Sequence, residues 1–406
     1  YFSLRVILNY NYKHFLLQKE VLMKVYLYSE RDGWFKDKGV YLFDKPIIKL
    51  VYKNGILYIE DRKIKTEKPF LFIEKLIKEK GYYCAGFISY NYGKKIALKK
   101  RIPQQDDIKI PDIYGIFFKN YKKISIPELH LKNKIEDVIY RTDRKRYIEK
   151  VLKAKDFISR GEIYQVNIAH RVDIKGFFHP ETVFFNLINY QPAPYLMLIK
   201  DIHFSVVSAS MELFLRKEGR RITTKPIKGT RKRGRSPEED EKLRSELESS
   251  EKERAENLMI TDLMRNDLGR ISEKGSVKVE KLFGIEKYRS VFQMVSTVSS
   301  QLKKSISLQE IIDNTFPPGS VTGAPKIRAM EIISQLEDLS RSVYCGATFL
   351  IKPDLDFVMS VAIRQSIFKG KRCSIYVGSG IVADSDPEME YEETIIKLKA
   401  NIESLR

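Results

Sequence analysis

Two pairs of glutamates have the spacing of a shared helix face. Glu253 and Glu256 lie three residues apart, as do Glu390 and Glu393, with Lys397 one turn further on. Carboxylates presented by two helices would make an oxygen-ligand cage suited to Mg2+, although acidic helix faces are more often simply solvated. A different chemistry is open to Phe316-Pro-Pro-Gly-Ser-Val-Thr-Gly-Ala-Pro-Lys-Ile-Arg328. Its Gly and Pro residues predict a tight loop, with a helix starting near Ala324 and capped by Thr322. Flanked by Lys326 and Arg328, that helix start has free N–H groups ready for an anion. It is not a Walker A loop, because the spacing from Gly319 to Lys326 is wrong and no Ser or Thr follows the lysine. A plain loop-to-helix cap is the simpler reading of the same residues. A second glycine turn, Gly378-Ser-Gly-Ile-Val-Ala-Asp-Ser-Asp-Pro387, reads as joining a strand to a helix. Amides around Gly380 and Ile381 would suit a carboxylate there, but a lone GxG is weak and an ordinary turn explains it.

The elements that must carry these residues follow from periodicity. Residues 1–140 read as short strands rich in Tyr, Val and Ile, at 24–28, 41–43, 47–52, 56–59 and 85–90, with a loop-like stretch over 102–112. Residues 143–160 have helical spacing, with Thr142 or Asp143 as cap and Gly161 as stop. Residues 162–174 alternate as a strand, Tyr164, Val166 and Ile168 on one side and Gln165 and Asn167 on the other. Further helices are predicted over 238–268, 324–337 and 387–405, and strands over 196–200, 203–208, 343–351, 357–363 and 373–377. Strands and helices mix without a βαβ period, which predicts an α+β fold. The chain divides into a strand-rich region, 1–140, belonging to the same interleaved body as a catalytic region, 141–406.

Composition narrows the class. At roughly 100–200 residues per domain, 406 residues allow two or three domains or one large one. With 43% hydrophobic residues a substantial core can form. Cys84, Cys345 and Cys373 include no CxxC pair and cannot make a disulfide framework. No run of about 18 apolar residues predicts a membrane span. The apolar start, residues 1–10, is broken by Arg5 and Asn9 and lacks the features of a signal peptide. A soluble cytoplasmic protein is the default. The net charge of +20 raises a nucleic-acid partner as one reading. The basic residues are spread along the chain, however, and the densest block, 216–235, is followed at 238–256 by an acidic one. Blocks of opposite sign are expected to pair with each other or lie on solvated faces, and the basic block has no interleaved aromatics for base stacking.

Taken together, the motifs resemble those of the chorismate-utilising enzymes, which include component I of aminodeoxychorismate synthase, component I of anthranilate synthase, and the isochorismate and salicylate synthases. The matching stretches are Tyr164-Gln-Val-Asn-Ile-Ala-His-Arg171, Pro226-Ile-Lys-Gly-Thr230, residues 255–270, the loop and helix of 318–331, Ala362-Ile-Arg364 and residues 378–397. They occur in the family's order. The resemblance implies two large packed antiparallel sheets with helices outside, as in anthranilate synthase component I, and a cleft for chorismate. It implies Mg2+ on Glu256 and Glu393, supported by Glu253 and Glu390. Arg364 and the Gly380 and Ile381 amides would hold the enolpyruvyl carboxylate. Gly229, Thr230, Thr322, Lys326, Tyr344 and Lys397 would line the pocket.

Three positions discriminate among the family's members. Gln165 stands where the water-using enzymes carry a lysine, which favours ammonia as the nucleophile. Glu212 aligns with the family's general acid. Lys228 stands where the anthranilate branch has Ala and the aminodeoxychorismate branch has Lys, which implies a covalent lysine nucleophile kept neutral by burial or by Lys225, Arg231 and Mg2+. Apart from the motif, Lys228 is an ordinary lysine in a basic run. Gln293 replaces a His associated with pyruvate elimination, Phe349-Leu350 replaces Gly-Tyr, and Met211 replaces a frequent Pro. The expected activity is amination of chorismate at C4, in the p-aminobenzoate branch of folate synthesis, with anthranilate formation as the nearest alternative. The cysteines sit in no Gly-x-Cys-x-Gly elbow, so ammonia is expected from a separate class I glutamine amidotransferase. With the last motif close to Arg406, no fused lyase is expected.

Overall fold

The computed structural model describes residues 23–30, 32–98, 104–129 and 131–406. The apolar start, residues 1–10, and the head of the 102–112 loop lie outside the described residues.

Two antiparallel sheets form the body. The first has ten strands, in the order Gly323–Ala324, Gln165–Phe177, Arg372–Ile381, Gln365–Lys369, Ser205–Ser210, Tyr195–Lys200, Lys24–Ser29, Gly39–Phe43 and Lys122–Ile124, with Lys134–Tyr140 also on Gln165–Phe177. The second has twelve, in the order Ile227–Lys232, Val291–Gln301, Arg221–Lys225, Leu213–Glu218, Phe357–Val361, Ala347–Ile351, Tyr83–Ile88, Ile113–Phe118, Pro46–Lys53, Ile56–Ile59 and Arg62–Lys65, with Lys278–Lys287 on Val291–Gln301. Both sheets take strands from the first 140 residues and from the rest.

Burial on both faces explains why the first sheet's strands carry little polar alternation. Val25, Leu27, Met197 and Ile199 enter the core shared with the second sheet, against Leu50, Phe87 and Phe117. Their neighbours Tyr26, Tyr28, Leu196 and Leu198 enter a second core with Val183, Phe184 and Leu398 of the helices Pro180–Tyr190 and Pro387–Ser404. The first sheet is therefore the middle layer, with the second sheet on one side and helices on the other.

Several elements differ from the sequence reading. The span 238–268 is two helices, Pro237–Ser249 and Glu251–Ile271, because Ser250 breaks the run and its hydroxyl caps the second by accepting from the Glu253 N–H. The helix expected from Ala324 starts at Lys326 after Pro325 and has no side-chain cap. Thr322 instead donates its hydroxyl back to the Pro318 and Gly319 carbonyls. The supposed glycine turn is strand: Gly378 and Gly380 lie inside Arg372–Ile381, opposite Ala169 and Asn167. The region read as strands contains two helices, Pro69–Lys80 and Tyr90–Leu98. The helix Arg144–Ser159 is capped by Asp143, which accepts from the Arg146 N–H.

Candidate active site

Strands of both sheets and the helices Glu251–Ile271 and Pro387–Ser404 surround a cavity of about 700 Å³. Twelve of the sixteen residues singled out from sequence line it. They are Glu212, Lys228, Gly229, Thr230, Glu253, Glu256, Tyr344, Arg364, Gly380, Glu390, Glu393 and Lys397. A second cavity, of about 760 Å³, lies beyond Met211 and Ile227, which line both, and contains none of the sixteen.

Four do not line the cavity. Gln165 is buried behind Gly380. Thr322 is fully buried in its own loop. Ile381 pairs with Val166 in the sheet. Lys326 is engaged by Asp267 and by the Thr315 carbonyl at 2.8 Å, and Arg328 by Glu162 and Glu331. The start of that helix therefore has its cations already neutralised, and the expected anion site there is not formed.

Lys228 reaches across from the second sheet to the first. A Cβ placed on Gly380 would lie 3.0 Å from Lys228 Nζ and 2.6 Å from Gln165 Nε2, so glycine here leaves room for both side-chain ends. The Lys228 side chain is 13% exposed, and its Nζ is 3.7 Å from Glu256. Gly229 next to it has φ +87°, and a Cβ there would meet Glu253 Oε2 at 3.0 Å. Lys225 and Arg231, expected to raise the potential at Lys228, are each paired elsewhere, with Glu286 at 3.2 Å and Glu253 at 3.1 Å. Lys252, a residue the sequence reading passed over, also lines the cavity.

The Gly380 amide is directed by register. The Asn167 N–H donates to Thr322 O at 2.9 Å, away from the strand opposite. Asn167 and Gly380 are thus a non-hydrogen-bonded antiparallel pair, and Gly380 turns its own N–H and C=O away from Asn167, toward the cavity. Two residues earlier, Gly378 O accepts from Lys397 Nζ at 3.0 Å on that same edge. By the same alternation the Ile381 amide points back into the sheet, so of the two expected amides only that of Gly380 faces the cavity.

Arg364 is a cavity cation with a buried, unpartnered nitrogen, Nη1. It forms no ion pair among the described residues. Burial pulls its guanidinium down to about 10. Its backbone has φ 47°, a left-handed conformation seldom taken by residues other than glycine. Opposite in character is Glu212, which burial pushes up to about 7, against the Ser320 hydroxyl, the Lys228 charge and the Ile227 N–H, all of which favour the ionised form. Tyr344 stacks on Tyr376, with centroids 5.6 Å apart and planes 12° from parallel.

The four glutamates share the cavity without forming a closed cage, and among the described residues no three acidic or other ligating side chains converge on a metal position. Carboxylates facing one space repel, and each here has its own partner. Glu393 pairs with Lys397 at 2.5 Å, and Glu390 accepts from Ser385 at 2.7 Å. Burial and the nearby Glu253 and Glu390 push Glu256 up against the pull of Lys228. Burial also works against ionised Glu393, but Lys397 and Lys228 outweigh it and hold Glu393 low. Glu390 Oε2 is buried with no partner, an acceptor left over beside the others. Hard oxygen donors with one acceptor unspent fit Mg2+.

Sequence reasoning passed over Asn167, Ser320 and Tyr376 as lining residues. Asn167 was legible from its placement on the Gln165 side of the strand. Ser320 and Tyr376 had no signal, since only the packing of loop and strand brings them in.

Comparison with known proteins gives the class of this fold. The chorismate binding enzyme family matches residues 23–403. The chain belongs to that family. It is 40% identical over 423 residues to anthranilate synthase component 1 of Methanothermobacter marburgensis, covering 93% of this chain and 91% of the relative. It is 34% identical to aminodeoxychorismate synthase component 1 of Bacillus subtilis, over 77% and 74% of the two chains. A 41% match to anthranilate synthase component 1 of Aquifex aeolicus spans 63% of this chain but only about half, 52%, of that relative's length. Among solved structures, anthranilate synthase component I of Streptococcus pneumoniae superposes with a TM-score of 0.80 at 29% identity, over 90% of this chain and 92% of that one. The menaquinone-specific isochorismate synthase of Escherichia coli, at 14% identity and TM-score 0.73 over 96% and 90%, shares the fold.

Glu212 generates a prediction in pH. Its folded-state value of about 7 lies above the ordinary 4.5, so the folded protein holds a proton that the unfolded chain has released between those values. Stability from this group is therefore full at low pH and declines as pH rises toward about 7. Denaturant unfolding from pH 5 to 8 should show this decline in the wild type and a smaller one in Glu212→Gln. Equal slopes would contradict the assignment.

Proposed function

We propose that this enzyme aminates chorismate at C4, as the synthase subunit of an aminodeoxychorismate synthase supplying p-aminobenzoate for folate. The observation that carries the reading is Lys228, whose amine sits inside the cavity beside Glu256 and against the glycine strand. The unpaired Arg364 and the Gly380 amide suit the enolpyruvyl carboxylate. Mg2+ held by Glu256 and Glu393, with Glu253 and Glu390 behind them, would neutralise the ring carboxylate and compete with Lys228 for Glu256.

Lys228 Nζ, once deprotonated, bonds to C2 of the ring. The ring double bonds shift, the C4–O bond breaks, and the hydroxyl leaves as water with the proton of Glu212. Ammonia then bonds to C4, the double bonds shift back, the C2–N bond breaks with its electron pair returning to Lys228, and the new ammonium group gives one proton back to the Glu212 carboxylate. The net change is chorismate plus ammonia to 4-amino-4-deoxychorismate plus water, with the enolpyruvyl group retained. The ammonia source is a separate class I glutamine amidotransferase. Within this chain all three cysteines are buried, unsuited to an accessible thiol nucleophile.

Anthranilate formation is the second reading. Relatives named anthranilate synthase component 1 favour it, whereas Lys228, where the resemblance implies Ala in that branch, counts against it. A nucleic-acid role has little support: Arg233, Arg231 and Lys228 of the basic block pair with Asp240, Glu253 and Glu256 of the acidic one, and Lys217, Arg220, Arg221 and Lys225 pair with carboxylates elsewhere.

Incubation with chorismate, Mg2+ and ammonium, read by mass spectrometry, should give an aminated product that keeps its enolpyruvyl group. Anthranilate as the product would overturn the reading. Lys228→Ala should lower C4 amination at least about a hundredfold with an unchanged melting temperature, and wild-type rates would remove the covalent role. Glu256→Gln and Glu393→Gln should each raise the Mg2+ concentration for half-maximal activity about tenfold or more, and an unchanged requirement would reject them as ligands.

A further inference from the structure

A buried ion pair outside the cavity holds three of its walls. The side chains of Arg341 and Glu337 are 1% and 5% exposed. Arg341 grips the carboxylate with two bonds, Nε to Oε2 at 2.8 Å and Nη2 to Oε1 at 2.6 Å. The remaining donors go to backbone: Nη1 to Val321 O at 3.1 Å and Nη2 to Asn167 O at 2.7 Å. Glu337 Oε1 accepts from the Ala169 N–H at 2.8 Å. The guanidinium lies 4.9 Å from the Tyr90 ring centroid and 6.0 Å from that of Tyr344.

These bonds fill a gap in the first sheet. Gly323–Ala324 pairs with the strand Gln165–Phe177 only at Gln165 and Val166, and Lys134–Tyr140 pairs only from Val172 onward. Between them, among the described residues, no strand borders the edge at Asn167–Ala169. Backbone groups left unpaired inside the protein are strongly unfavourable, and here the Glu337 carboxylate and the Arg341 guanidinium take the place of a neighbouring chain. The groups they hold belong to the cavity. Asn167, Val321 and Tyr344 line it. Val321 follows Ser320, which lines the cavity with Glu212 and favours its ionised form. Asn167 sets the register that turns the Gly380 amide inward.

We propose that Arg341 and Glu337 are positioning residues for catalysis, a side-chain substitute for a missing strand that fixes Ser320 against Glu212 and the Gly380 amide toward the substrate. A buried pair kept for stability alone can be exchanged for apolar residues of similar size at little loss. A pair that places the Glu212 and Gly380 groups cannot. The inference rests on chorismate as substrate for its kinetic readout, but not for its structural one.

Two variants test it, Arg341→Lys and the double variant Arg341→Met with Glu337→Leu, which leaves no buried charge unpaired but releases the Ala169 N–H and the Asn167 and Val321 carbonyls. For each, melting is recorded first, then kcat and KM for chorismate with ammonium and Mg2+ against pH, then hydrogen–deuterium exchange. The double variant should stay folded at assay temperature, lose at least about tenfold in kcat and keep KM within about threefold. The alkaline limb of kcat/KM should move to higher pH, because Ser320, Lys228 and the Ile227 N–H all favour ionised Glu212 and the Ser320 contact is the one slackened. Exchange should quicken over 319–323 and 376–381. A folded double variant with wild-type kcat and an unmoved alkaline limb overturns the proposal. So does unchanged exchange over both segments, a result that stands even where the wild type turns over no chorismate and the substrate assignment itself has failed.

Discussion

The close approach of Lys228 to the Gly380 backbone is the contact on which the site depends. It is made between sheets: Lys228 belongs to the edge strand Ile227–Lys232 of one and Gly380 to an inner strand of the other. Any side chain at position 380 would meet the amine at 3.0 Å or the Gln165 amide at 2.6 Å. Without a side chain there, the amine is held beside the free Gly380 amide edge and within reach of the glutamates. The two-sheet core, with Val25 and Leu27 facing Leu50 and Phe87, keeps that distance. The helices Glu251–Ile271 and Pro387–Ser404 bring the four glutamates to the cavity, together with Lys252 and Lys397.

Charge organises the cavity as much as shape does. Five carboxylates, Glu212 among them, and six cations, Lys228, Arg231, Lys232, Lys252, Arg364 and Lys397, face or border one space. Three of the cations are spent on glutamates. Arg364 is not, and its desolvation without a partner is an imbalance that a bound anion would relieve. Glu212 shows the converse: enclosed in the same wall, with the Ser320 hydroxyl and the Lys228 charge insufficient to ionise it fully near neutrality, it keeps a proton to give.

What was legible in the sequence was local or carried by motif. Asp143 announces the helix after it, and the alternation over 162–174 marks the strand Gln165–Phe177. Ser250 and Glu253 spell a cap inside 238–268, a signal that the helical period on either side obscured. Phe70, Ile73 and Ile77 carry helical spacing in a region dominated by strands. The glycines at 378 and 380 read as a turn because their use, an approach from another sheet, is not written in neighbouring residues. Lys326 looked free for a ligand because Asp267, far away in sequence, is the residue that neutralises it. Ser320 and Tyr376 enter the site by tertiary packing alone.

The central claim is that Lys228 becomes bonded to the ring during turnover. Its most direct test is mass spectrometry of the acid-quenched protein after mixing with chorismate and Mg2+ without ammonia, followed by digestion. The account predicts an adduct of chorismate less one water on the peptide containing Lys228, lost when ammonium is added before the quench. Ammonium-dependent amination at C4 by a protein whose Lys228 peptide never gains that mass would contradict it.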